Sequence, residues 1–112
     1  RSSITGTGYG TTGQALFAYG YTGSAYTAAS NLISNTGVVA TDTSGTNDAK
    51  TNRGATNYGG DKAIFAFGYD AGSDSYVNTR NLVNSSGVIA TDASGAGTAR
   101  QTAPGAGYSL SA

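Results

Sequence analysis

Apolar residues fall in short, evenly spaced clusters along this chain, separated by polar stretches of Gly, Ser, Thr and Asn. ALFAYGY (Ala15 to Tyr21) and AIFAFGY (Ala63 to Tyr69) are apolar at nearly every position, as strands buried between two layers are. GVVATD and GVIATD are rich in β-branched residues, which favour a pleated surface. YTAASNLIS and YVNTRNLVN, together with the segments leading to Tyr9, Tyr58 and Tyr108, supply the remaining strand candidates. Between these runs lie SNTG, SSG, DTSG, DASG and YGGD, whose residues favour turns. No segment sustains an apolar period of 3.6 residues, so no helix is predicted.

The clusters repeat. Asn31 to Lys50 reads NLISNTGVVATDTSGTNDAK and Asn81 to Arg100 reads NLVNSSGVIATDASGAGTAR, with ten of these twenty positions identical. Arg1, Lys50 and Arg100 each stand eight residues before a tyrosine (Tyr9, Tyr58 and Tyr108). The chain therefore divides into repeat 1–49, repeat 50–99 and the first strand of a third repeat at 100–112. Each full repeat holds four predicted strands, the content of one β-propeller blade. The expected fold is all-β: a β-propeller-type repeat of two four-stranded antiparallel blades plus an extra strand, with a β-fibre or solenoid as the alternative.

Composition narrows the chemistry. The chain has 112 residues, enough for one domain, with six cations, six Asp, no Glu and a formal net charge of zero. His and Cys are absent, so an ordinary transition-metal site, a Ser-His-Asp relay and a disulfide framework are all excluded. The scattered cations offer no basic patch for nucleic acid. No apolar run approaches the roughly 18–20 residues of a membrane-spanning helix. The Gly/Ser/Thr/Asn content also suits disorder, but the regular apolar clusters argue for a packed fold. With no initiator Met and no signal-like start, a processed chain or a fragment is expected.

GGDKAIFAFGYD (Gly59 to Asp70) resembles the second strand of a kelch blade with its lead-in, and the segment from Arg100 resembles a first strand that follows a completed blade. The match departs from kelch at Gly20-Tyr21 and Gly68-Tyr69, where kelch has a glycine pair, and in lacking the fourth-strand tryptophan. The repeat is also similar to tandem Gly/Thr/Asn-rich repeats of phage and other virion-associated structural proteins, through its AIF.FGY, NLV and GV.ATD stretches. These resemblances imply a propeller-type architecture and a structural role on an extracellular or virion surface.

A propeller needs about four to eight blades, because each blade buries its faces against neighbours. Two blades leave two faces uncovered, so a homo-oligomer or fibre is expected, through strand edges and blade faces. The additional first strand at 100–112 could complete a neighbouring blade by strand addition, closing a ring or propagating a fibre. A boundary that merely falls after a strand explains it equally well.

Several short patterns invite a chemical reading. GYGTTG (Gly8 to Gly13) matches a dinucleotide-binding fingerprint, but a strand-like segment follows it and no acid lies about 20 residues on. It reads as a turn. DAGSD (Asp70 to Asp74) has too few carboxylates for calcium, and its counterpart in the first repeat has none. Asp42 and Asp92 recur like a carboxylate pair for acid–base chemistry, yet each opens a turn whose backbone it can bond. Gly37 and Gly87 mark the preceding turn. Tyr9, Tyr21, Tyr58, Tyr69 and Tyr108 recur at fixed positions, either as glycan-stacking rings or as packing between blades. Asn84-Ser85-Ser86 fits a glycosylation sequon in a predicted turn. The residues thus imply a non-catalytic structural repeat protein with no cofactor and no metal. A carbohydrate-binding propeller used in attachment is the alternative.

Overall fold

The computed structural model describes residues 1–107. Tyr108 and the end of the third repeat lie outside the described residues. The Cα radius of gyration is 13.4 Å, close to the roughly 13 Å of a folded domain near 100 residues.

Among the described residues there is no helix, and three small antiparallel sheets carry the fold. The first contains β1 (Thr5–Tyr9), β2 (Gln14–Ala18) and β3 (Ser30–Ile33) in that order. The chain then passes through β4 (Lys50–Thr51) into β5 (Gly54–Tyr58) and β6 (Lys62–Ala66). It continues through β7 (Tyr69–Asp70) and β8 (Ser75–Tyr76) to β9 (Arg80–Val83). β5, β6 and β9 form the second sheet, and β4, β7 and β8 a small third one. Among the described residues no closed propeller or barrel forms, and no helix is long and apolar enough to cross a membrane.

The two larger sheets share one register. Thr5 faces Ala18 and Tyr9 faces Gln14 in the first, as Gly54 faces Ala66 and Tyr58 faces Lys62 in the second. Leu16 opposite Leu32 corresponds to Ile64 opposite Leu82. In place of the third sheet, the first half has only single bridges, Ser2 to Tyr21 and Tyr21 to Tyr26.

The expected fourth strand of each repeat is not a strand. Val39 bridges Ile33 and Thr43 bridges Ser30, while the Ala40 amide donates to Leu32 O at 2.8 Å. Two residues, Thr41 and Asp42, therefore stand opposite the single residue Asn31. This is a β-bulge, which leaves one residue unpaired and bends the strand away. Ile89, Ala90 and Ala93 repeat the pattern against Val83, Leu82 and Arg80, with Thr91 and Asp92 opposite Asn81. Each four-stranded expectation thus becomes three strands and a bulged edge, on which Val38, Val39 and Val88 stay exposed.

The predicted extra strand also forms no ladder over its described part. Arg100 to Gly107 instead runs along β5 of its own chain. The Thr102 amide donates to Asn52 O at 2.8 Å, and Asn52 Nδ2 donates to Gln101 Oε1 at 3.1 Å. The backbones approach so closely that a Cβ on Gly54 would strike the Ala103 carbonyl, and one on Gly105 the Ala55 carbonyl.

The core lies between the first and second sheets. Leu16 and Ala18 of β2 and Ala63 and Phe65 of β6 are fully buried. The Tyr19 ring meets Phe65 edge-on at 5.3 Å between centroids. Burial alternates along both strands, as a two-faced strand requires, but in opposite phase. β2 buries Leu16 and exposes Phe17, whereas β6 buries Phe65 and only half-buries Ile64. The two sheets therefore stack in the same orientation, one face of the first against the opposite face of the second.

Candidate functional site

The polar residues of the fold collect at this joint. Arg53, 4% exposed, sits just before β5 and reaches under the second sheet. Its Nε donates to Phe67 O at 2.9 Å, Nη2 to Thr79 O at 2.9 Å and Nη1 to Asn81 Oδ1 at 2.6 Å. Its guanidinium also lies over the Tyr19 ring of the first sheet, 4.7 Å from the centroid. One side chain thus ties three acceptors of one layer to an aromatic face of the other. Burial lowers the Arg53 pKa, against the opposing pull of Tyr19 and Asp92.

Asn81 passes the connection on. Its Nδ2 donates to Asp92 Oδ1 at 2.7 Å and to Ala90 O at 3.1 Å, across the bulge. Lys50, fully buried, donates to Asp92 Oδ2 at 2.8 Å and to Asp48 O at 3.1 Å, with Asp70 Oδ2 at 3.8 Å. Asp48, Asp70 and Asp92 bring carboxylate oxygens within 4.8 Å of one another, a grouping that could hold a cation. The Lys50 ammonium already supplies that positive charge. Partial burial pushes the Asp92 carboxyl up, but hydrogen bonds from Lys50 and Asn81 and the charges of Lys50 and Arg53 outweigh it and hold the carboxyl below its ordinary value.

The first sheet has a thinner version of this arrangement. Arg1 donates to Tyr19 O at 3.5 Å, to Ala29 O at 2.9 Å and to Asn31 Oδ1, the counterparts of the Arg53 acceptors. Asn31 Nδ2 donates to Asp42 Oδ1 at 2.6 Å. The two aspartates singled out from sequence therefore bond Asn31 and Asn81 across the bulge, where backbone bonding in the following turn was expected. Sequence reasoning passed over both arginines and both asparagines. Arg1 and Arg53 are 52 residues apart against a repeat of 48 to 50, so no alignment pairs them. The available signal was the Asn-Leu pair repeated at Asn31 and Asn81, an amide inside each third strand.

The remaining candidates separate. Tyr9 is buried at the joint, while Tyr58 is 40% exposed. Tyr21 and Tyr69 belong to a row of rings in the order Tyr21, Tyr26, Tyr69, Tyr76, with centroids 5.1, 5.9 and 6.3 Å apart. The Tyr69 hydroxyl donates to Asp74 Oδ1, and this bond pushes its pKa up to about 12. In DAGSD, Asp70 Oδ1 accepts from the Gly72 amide at 2.8 Å and the Ser73 amide at 3.3 Å, closing its own turn. Gly37 and Gly87, at φ +84° and +82°, close matching hairpin turns in the left-handed region that glycine favours. Asn84 Oδ1 accepts from the Ser86 and Val88 amides on an exposed turn.

A cleft of about 270 Å³ opens between the Thr43–Asn47 stretch and the Ser86–Ile89 turn, with Tyr19 in its wall. The Tyr19 hydroxyl lies near Asn47 and Arg53 but has no hydrogen-bond partner among the described residues. Burial raises its pKa. Asn47 is occupied elsewhere, donating to Ala90 O at 3.0 Å and accepting from the Asp92 amide at 3.0 Å. The polar groups of the joint therefore act on one another and on backbone carbonyls, which suits holding layers together. No known family model matches the chain, and no curated protein matches it.

Proposed function

We propose that this is a non-catalytic structural repeat protein whose kelch-like, propeller-type layers assemble into a multi-bladed ring or a fibre on a virion or cell exterior. The observation that carries this reading is the Arg53 brace. Three buried polar side chains, Arg53, Lys50 and Asn81, serve contacts within and between layers. Its partial duplicate at Arg1 makes the layer a unit suited to repetition. The near absence of net charge fits a surface joined by packing and hydrogen bonds more than by long-range steering. Solution mass by sedimentation, together with electron micrographs, tests the proposal. Defined rings or filaments are expected, and a chain that stays monomeric at every concentration would overturn it.

A carbohydrate-binding role is the second reading, favoured by the row Tyr21, Tyr26, Tyr69 and Tyr76 beside a shallow polar hollow that includes Ser2, Ser24 and Asn52. Aromatic faces with neighbouring hydroxyls and amides suit sugars. A glycan array probed with the whole chain tests it. Binding lost in Tyr26→Ala supports the reading, and an array with no signal removes it.

A further inference from the structure

We propose that the outer face of the second sheet binds the outer face of the first sheet of another copy of this chain, head to tail. This rests on the self-assembling reading above and names its contact. Inside the chain, the first sheet contributes Leu16 and the second Phe65, both fully buried. Their equivalents on the outward faces are Ile64 and Phe17, and Phe17 is 43% exposed. Leu82, the outward counterpart of the partly buried Leu32, is 36% exposed. Each end of the molecule thus presents the half of the joint that the other end lacks.

The polar brace extends the match. Arg1 already sits in the carbonyl and Asn31 cradle of the first sheet, as Arg53 does in that of the second. Phe67 occupies on the second sheet the place of Tyr19, the ring that Arg53 covers. The Phe67 face is now covered by Arg100 of its own chain, at 4.2 Å. An incoming copy brings Arg1 to that ring and β1 to the edge of β5, where Arg100 to Gly107 now lies. The internal layers already run this way, with Thr5 Oγ1 of β1 donating to Arg53 O beside β5 at 3.1 Å. Arg100 to Gly107 is therefore a cover that docking displaces. The two faces fit each other and not themselves, so the contact is heterologous.

Sedimentation of the 112-residue wild type, Phe17→Lys, Leu82→Lys and an equimolar mixture of the two variants tests the proposal. Both positions lie on outward faces, and circular dichroism checks that each variant keeps the fold. Each variant alone is expected to associate at least tenfold more weakly than wild type. The mixture is expected to form a discrete dimer, because it holds one intact face of each kind. Gly105→Val, which forces Arg100 to Gly107 off β5, is expected to tighten wild-type association several-fold, and a weakening would count against the displacement. Variants that associate as wild type does, or a mixture that forms no dimer, overturn this contact and leave self-assembly standing. A wild type and a Gly105→Val that are both monomeric throughout overturn both.

Discussion

Phe17 and Phe65 occupy the same position in two sheets of identical register, yet Phe65 is fully buried and Phe17 is 43% exposed. Tyr9 and Tyr58 show the reverse, at 5% and 40%. Local structure is the same at each pair. What differs is which face of the sheet meets a neighbouring layer. In a stack, a side chain owes its burial to the next layer more than to its own, so equivalent residues contribute unequally to stability.

That inequality is measurable in denaturant melts. Phe65→Ala is expected to cost about 3–5 kcal/mol, the range for emptying a packed aromatic site, whereas Phe17→Ala should cost about 1–2 kcal/mol, since its ring is only partly covered. Comparable losses at both positions would contradict the stacking. Arg53→Ala, which strands Phe67 O, Thr79 O and Asn81 Oδ1, is expected to cost about 3 kcal/mol, and Arg1→Ala less than about 1 kcal/mol at its exposed site. The glycine pair makes the comparison within one turn type. A Cβ at Gly37 meets nothing within 4 Å, while at Gly87 it would lie 2.8 Å from Leu32 Cδ2 and Tyr9 Cζ. Gly37→Ala should therefore cost about 1 kcal/mol of backbone strain, and Gly87→Ala about 2–3 kcal/mol, since packed side chains must also move.

Two titrations give smaller effects. The Asp92 carboxyl is held below its unfolded value of about 3.9, so its contribution is present at neutral pH and is lost as pH falls through the folded value. Thermal melts from pH 7 to pH 3 should show Asp92→Asn losing less on acidification than wild type. The half-buried Tyr69 should ionise near pH 12 by ultraviolet absorbance, and Asp74→Asn should return it toward the ordinary tyrosine value.

The all-β character and the first two strands of each repeat were legible because turn residues punctuate clusters of matching composition. Gly37 and Gly87 were legible as turn positions for the same reason. The fourth strand misled because Val38-Val39 and Val88-Ile89 have strand composition, whereas a bulge depends on how two chains pair. Composition along one chain does not record it. Tyr9 and Tyr58 looked equivalent because a repeat in sequence carries no mark of which layer stands at the end. The bracing arginines escaped because each reaches the same cradle from a different point of the chain, Arg1 from further upstream than Arg53. A long flexible side chain lets the head group keep its place while the backbone position drifts.

Lys50 has one further consequence. A cage of three carboxylates around a dissolved ion fills and empties with the surrounding medium, and its strength follows the supply of that ion. Here the positive charge is tethered by covalent bonds to the strand it steadies, and it cannot diffuse away. The contact between β4 and the bulge that carries Asp92 is thereby held by a charge that no chelator removes. Transfer between ion-rich and ion-poor surroundings leaves its charge balance where the fold put it.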